Sequence, residues 1–165
     1  MATDKQALAT VRPWWESIEE VVWQNSQRVL RAFSAHGLSA AELGGSTGYG
    51  YGDSGREKLE AIYAEVFGAE SALVRPQWVS GTHALAQTLY ALLLPGDELW
   101  VASEDVYNTL AKLLKDPEHP AGLRRRGVTV RFLPWGSWPA GRPAVVYIQR
   151  TRGYQARRSW GRDEI

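Results

Sequence analysis

From Pro13 to about Ala35, apolar residues return every three or four positions, and Trp14, Ile18, Val21, Val22, Val29 and Phe33 fall near one helical face. Pro13 suits a first helical turn, Glu16, Glu19 and Glu20 lie early, and Arg28 and Arg31 lie late, as the helix dipole favours. Gly37 marks a stop. After a glycine-rich loop from Gly44 to Gly55, Ser54 and Glu57 read as a capping box for a second helix. Its stripe is Leu59, Ile62, Tyr63, Val66 and Phe67, and Gly68 ends it.

From Ala72 the pattern changes. Ala72 to Arg75 predicts a short strand, and Pro76 argues against a long central one. Ser80-Gly81-Thr82 predicts a turn, and Ala84 to Leu94 a nearly all-apolar helix buried on most sides. Strands follow at Leu99–Ala102, Val128–Leu133 and Ala144–Gln149, with a helix over Val106–Lys115 that turns Leu110, Leu113 and Leu114 inward. Strands alternating with helices imply an α/β fold with a parallel sheet.

Composition narrows the class. Of 165 residues, 44% are hydrophobic and 22% charged, which suits one soluble globular chain with a core. The net charge of +1 supplies no field for nucleic acid, and no apolar run reaches the length of a membrane span. Cysteine is absent, which excludes disulfides and thiolate metal sites and fits a cytoplasmic protein. The three histidines, His36, His83 and His119, lie far apart, so no metal site is expected. Eight tryptophans predict an aromatic-rich core or subunit contact, and Trp78, Trp100 and Trp135 are expected near exposed apolar surface.

The candidate chemistry lies at Ser80-Gly81-Thr82-His83, on a turn that opens a helix beyond a strand. Free N–H groups of a first helical turn favour an anion, glycine permits close approach, and Ser80 and Thr82 add hydroxyls. The same residues also suit a plain helix cap. Tyr107 fits a half-buried core position, Tyr49 and Tyr51 fit loop packing, and Arg124-Arg125-Arg126 fits a solvated helix end. Arg150, Arg152, Arg157, Arg158 and Arg162 make a basic tail that Asp163 and Glu164 dilute.

Four segments, in order, carry a family resemblance: 47–60 (Thr-Gly-Tyr-Gly-Tyr-Gly-Asp-Ser-Gly-Arg-Glu-Lys-Leu-Glu), 67–83 with its Ser-Gly-Thr-His turn, Val106-Tyr107-Asn108-Thr109-Leu110, and 147–154 (Tyr-Ile-Gln-Arg-Thr-Arg-Gly-Tyr). From about Leu30 to Ile165 the chain resembles the N-terminal part of the bacterial aluminium resistance, or methionine gamma-lyase-like, family. That family belongs to the cystathionine beta-lyase branch of pyridoxal-phosphate (PLP) enzymes. The resemblance implies a three-layer α/β/α large domain of fold type I, present in part, with residues 1–40 as an N-terminal helical segment and 41–165 as the incomplete cofactor-binding domain. It implies that Ser80, Gly81 and Thr82 hold the PLP phosphate, that Tyr107 lies over the pyridine ring, and that Tyr51 reaches the phosphate in a neighbouring subunit. Asp53 stands where the wider branch has an arginine, and Arg56 substitutes for it only if the loop bends differently. Arg152 and Tyr154 match a segment near the active-site mouth, on the substrate side. A small sulfur-containing amino acid as substrate and a homo-oligomer are the implied partners.

PLP chemistry also needs a lysine that binds the cofactor covalently and an acid beside the pyridine nitrogen. The four lysines, Lys5, Lys58, Lys112 and Lys115, read as tail or helix positions and not strand ends. Only eight residues separate Trp135 from Ala144, where the resemblance implies a longer, helix-containing crossover. The expectations are therefore the N-terminal part of a PLP-dependent carbon–sulfur lyase, inactive alone, or a non-catalytic remnant that pairs with another subunit through its N-terminal helix and tyrosine loop. A Rossmann-like nucleotide binder ranks last, because Gly48, Gly50 and Gly52 precede the first clear strand.

Overall fold

A computed structural model describes all residues except 1, 50, 104, 105, 135, 154, 155 and 157, and gives only the backbone for 2, 3 and 164. The chain divides into two compact units, Met1–Gln77 and Trp78–Ile165.

In the first unit, α1 spans Ala2–Ala35 and so runs through Pro13, which the sequence pattern places in a first turn. Pro13 removes one intrahelical bond, but Lys5 to Ala9 before it and Glu16, Glu19 and Glu20 after it are strong helix formers and continue the helix on both sides. Gly37, at φ 60°, ends α1 as expected, with the Leu38 N–H donating to the Phe33 carbonyl at 3.0 Å. A single 3₁₀ turn, Ala40–Leu43, is opened by a capping box of Ser39 and Glu42. Helix α2 covers Ser54–Phe67. Its cap is Asp53 rather than Ser54: the Asp53 carboxylate accepts from the Arg56 N–H at 3.2 Å. The expected strand at Ala72–Arg75 is not formed. The segment is tied to α2 instead, because the Glu60 carboxylate accepts from the Val74 N–H at 3.1 Å and pairs with Arg75 at 2.6 Å.

The second unit holds α3 (Gly81–Leu92), β1 (Glu98–Val101), α4 (Asn108–Lys115), β2 (Thr129–Phe132) and β3 (Val145–Tyr147). The strands form a parallel sheet in the order β2-β1-β3. Leu99 pairs with Val130 on one side and Val145 on the other, and Val101 pairs with Phe132 and Tyr147. These side chains share one face, since side chains alternate along a strand. That face is the core. Leu99 and Val101 are fully buried against Leu89 and Leu93 near or in α3 and Leu110, Leu113 and Leu114 in α4. The inward leucines of α4 are as expected. Helix α3 is less buried than expected, with Leu85 40% and Leu92 57% exposed, so only one of its faces is covered.

The opposite face carries Trp100, Val146 and the Arg131–Glu98 ion pair, 2.8 Å long. Here the short crossover between β2 and β3 finds its role. Returning along a four-residue strand and passing over β1 requires a path of about 25 Å, and the intervening chain extends to roughly 40 Å. Length is therefore sufficient; what a helix would have added is cover. The link supplies cover through Trp138, whose ring stacks on Trp100 at 6.3 Å between centroids and 24° between planes. Trp100 itself is consequently buried, but it does lie beside exposed apolar surface, since its sheet partner Val146 is 43% exposed and Trp138 47%; Trp135 lies outside the described residues.

Two substitutions check this packing. Leu110→Ala empties a fully buried position and should destabilise the chain by about 2–5 kcal/mol in urea unfolding. Trp138→Ala should cost about 1–2 kcal/mol, less because Trp138 is 47% exposed, and should red-shift the remaining tryptophan emission as Trp100 meets water. An unchanged midpoint for Trp138→Ala would mean that the link does not cover the sheet.

Candidate functional site

The carboxyl end of the sheet brings two helix N-termini together within the second unit. Ser80 caps α3, its hydroxyl accepting from the His83 N–H at 3.0 Å. The first backbone bond of this turn runs from the Ala84 N–H to the Ser80 carbonyl, so the N–H groups of Gly81 and Thr82 precede the helical ladder. Gly81 has neither a left-handed φ nor a packing neighbour: a Cβ built on it meets nothing within 4 Å. The glycine is thus explained by neither backbone strain nor crowding, and it leaves space open in front of the donors. The His83 ring packs 5.7 Å from Trp78, and its Nδ1 accepts from the Val79 N–H at 3.4 Å, which anchors the turn from behind.

Helix α4 opens at the same end. Thr82 and Thr109 join their hydroxyls, linking the first turns of α3 and α4. Tyr107 is the N-cap position of α4 but makes no side-chain cap bond; its ring is 48% exposed. Its N–H donates instead to the Gln149 Oε1 at 2.8 Å, and the Gln149 amide donates to the Thr151 carbonyl at 3.1 Å. The stretch after β3 therefore holds the entrance of α4. Sequence reasoning assigns no role to Thr109 or Gln149, although both lie inside segments that carry the resemblance. Their signal is position: one sits in the first turn of α4, the other just past a strand end.

Ser80, Gly81, Thr82 and Tyr107 thus belong to the second unit, with Arg152, which is exposed. Tyr154 lies outside the described residues. Tyr51 belongs to the first unit, where it is 93% exposed and Tyr49 84% exposed, so neither packs its own loop. Asp53 and Arg56 form an ion pair at 2.9 Å, and Arg56 also donates to the Gly48 carbonyl at 2.8 Å. The Ser46 hydroxyl and the Arg56 backbone and side chain hold the Asp53 carboxyl below its usual range. Arg56 is therefore engaged in shaping the tyrosine loop. The arginine run forms a 3₁₀ turn, Arg124–Arg126, bound into the unit: Arg124 donates to the Val130 carbonyl, and Arg126 lies 4.4 Å from the Tyr90 ring centroid.

The lysines stand elsewhere. Lys5 is in α1, Lys112 and Lys115 are in the last turn of α4, and Lys115 lies 5.3 Å from the Phe132 ring centroid. Lys58, in α2, pairs with Glu42 at 2.6 Å and donates to the Gly37 carbonyl at 2.8 Å. Among the described residues no group of histidine and carboxylate side chains is arranged to hold a metal ion, and no helix is long and apolar enough to cross a membrane.

The class is thus a mixed α/β protein with a small parallel sheet and two linked helix N-termini at its carboxyl edge. Residues 1–136 match the profile of the family described as Methionine gamma-lyase, and the chain belongs to that family. It is similar to a solved protein of Listeria innocua, a candidate cystathionine beta-lyase involved in aluminium resistance, with 33% identity and a TM-score of 0.88 over 99% of this chain and 43% of that one. A counterpart so described from Listeria monocytogenes gives 32% identity and a TM-score of 0.90, covering 99% of this chain and 44% of that one. An uncharacterized Bacillus subtilis protein, YnbB, is 48% identical over 99 residues, which are 60% of this chain and 24% of that protein. The chain therefore spans less than half the length of these relatives.

Two measurements follow from this geometry. Gln149→Ala removes the acceptor of the Tyr107 N–H, and should cost about 1 kcal/mol and speed hydrogen exchange at that amide. Unchanged protection at Tyr107 would mean that Gln149 does not fix the start of α4. The second concerns pH. Lys58 and Ser39 lower the Glu42 carboxyl from 4.5 to about 2. A depressed acid stabilises the fold above its unfolded value, and that contribution disappears as pH falls from about 4.5 towards 2. Glu42→Gln should therefore lower stability at neutral pH and flatten its dependence across that window, read from urea midpoints at several pH values.

Proposed function

We propose that this chain is the N-terminal part of a PLP-dependent carbon–sulfur lyase of the cystathionine beta-lyase or methionine gamma-lyase type. In this reading it contributes the phosphate turn and the aromatic that faces the cofactor ring. The observation that carries the reading is the convergence of the α3 and α4 N-termini, joined through Thr82 and Thr109, beside an unfilled Gly81. The residues fit a phosphate. The N–H groups of Gly81 and Thr82, the hydroxyls of Ser80 and Thr82, and the positive end of α3 supply the donors. Tyr107, held at its backbone by Gln149, offers a half-exposed ring for stacking. When bound, PLP supplies the electron sink that lets a carbon–sulfur bond of an amino acid break.

The remaining assignments extend this reading. The sheet and its helices form part of a three-layer fold-type-I large domain over 41–165, with 1–40 as a helical segment before it. Tyr51 is exposed because it serves a neighbouring subunit's phosphate in a homo-oligomer. Arg152 and Tyr154 lie on the substrate side, towards a small sulfur-containing amino acid, and the protein works in the cytoplasm. The 165 residues alone perform no turnover, since their four lysines stand in α1, α2 and the last turn of α4. That same placement favours a second reading, a non-catalytic chain that pairs with other subunits.

The test has two arms. The chain is incubated with PLP and reduced with borohydride, and labelled lysines are mapped; scattered substoichiometric labelling is expected. A single stoichiometric lysine accompanied by lyase activity would overturn the inactive reading. In a longer relative bearing the same Ser-Gly-Thr-His turn, the changes matching Gly81→Val, Thr82→Ala and Tyr107→Ala should each weaken PLP binding. For Thr82→Ala the loss should be about 0.5–1.5 kcal/mol, roughly two- to tenfold in affinity. Unaltered affinity in all three would reduce the turn to a helix cap.

A further inference from the structure

Helix α1 carries an apolar face that the described residues of its own unit do not cover. Leu8, Val11, Trp15, Ile18 and Val22 are spaced alternately three and four residues apart, the seam of a coiled coil. They are 37–56% exposed, and Trp14 beside them is 73% exposed. The same seam continues past Asn25 to Val29 and Ala32, where α2 packs against α1, Ala32 is fully buried and His36 bonds Glu65 at 2.8 Å. One half of the seam therefore has its partner within the chain, and Asn25 separates it from the half that does not.

We infer that the free half of α1 pairs with α1 of a second copy of this chain, antiparallel, about a two-fold axis passing between Glu16 and Ser17. The sequence is self-complementary in that register. Val11 of one copy lies level with Val22 of the other, and Trp15 with Ile18, so all four central seam residues meet an apolar partner. Leu8 meets Asn25 at each end, where the free half of the seam stops. In antiparallel pairs the flanking residues of one side face the same side of the partner. On one flank this sets Arg12 against Glu19 of the second copy, twice by symmetry. On the other flank it sets Trp14 against Val21, with no charge opposed. A parallel pair would instead bring Arg12 towards Ala7 and Glu19 towards Trp14, forming neither ion pair. Pro13 lies on the far side of the helix, where its missing N–H disturbs no contact. The inference rests on α1 alone and is independent of any cofactor.

The absence of cysteine makes a cross-linking test direct. Val11→Cys and Val22→Cys are prepared separately and oxidised alone and mixed. The antiparallel register places Val11 beside Val22 of the other copy, and each about 16 Å from its own counterpart. Disulfide dimers are expected in the mixture and not in either variant alone. Dimers in each variant alone would establish parallel pairing and overturn the proposal, as would a monomer of the unmodified chain in sedimentation. Charge reversal separates this register from unspecific apolar association. Arg12→Glu and Glu19→Arg should each weaken the dimer by roughly threefold to tenfold, and the double variant should restore it. Circular dichroism checks that α1 stays helical in each variant. Equal dimerisation in all four proteins would overturn the assigned register.

Discussion

The parallel pairing of β1 on both its edges is the constraint from which the site follows. β1 is the strand with a neighbour on each side, and Leu99 and Val101 have no exposed surface at all. Its ladder runs past the strand end, because the Ala102 N–H reaches the Tyr147 carbonyl at 2.9 Å and the Leu133 N–H reaches the Val101 carbonyl at 2.9 Å. These bonds fix the carboxyl edge as a level platform. Helix α4 is seated on the platform by Leu110 and Leu114, and α3 by Leu89, so their N-termini arrive at the same edge. The link between Thr82 and Thr109 is then a consequence of where two helices must start, not an independent local device.

The sheet, the inward leucines of α4 and the stops at Gly37 and Gly68 were legible because each depends on local pattern or on a glycine's backbone freedom. The failures have a common cause: a tertiary partner decided between near-equal local options. Ala72–Arg75 has strand composition, but Glu60 takes the Val74 N–H and the Arg75 guanidinium, and the segment stays beside α2. The capping oxygen of α2 comes from Asp53 although Ser54 fits the rule as well, because Asp53 also holds Arg56 and Ser46. At the site, the glycine and hydroxyl pattern of the turn was visible in the chain. The contribution of Gln149 was not, because it joins residues 42 positions apart.

The link from β2 to β3 separates two jobs that a crossover helix usually performs together. One is to return the chain to the starting edge, which an extended segment does with length to spare. The other is to exclude water from the sheet. Trp138 does the second by stacking on Trp100, but a single ring covers less than a helix. Val146 on that face remains 43% exposed, and the Trp100 indole N–H is buried with no hydrogen-bond partner among the described residues. A buried, unpaired donor costs about 1–3 kcal/mol. The shortened link thus keeps the topology and gives up part of its stabilisation, which is why the core lies so strongly on the helix-covered face.

Charge along α4 makes the same division between architecture and chemistry. Lys112 and Lys115 stand in its last turn, where they complement the negative end of the helix dipole. Because α4 runs back from the carboxyl edge of the sheet, these cations lie away from the turn at Gly81. The donors at that edge are backbone N–H groups and hydroxyls, which hold an anion without supplying a nucleophile or a base. Lys58, the remaining helical lysine beyond α1, is fixed by Glu42 and the Gly37 carbonyl in the first unit. In the proposed reading anion recognition would rest on the local geometry of α3 and α4, whereas covalent chemistry would require a lysine from a strand end. On that reading the two properties are physically separable, and α3 and α4 serve the first.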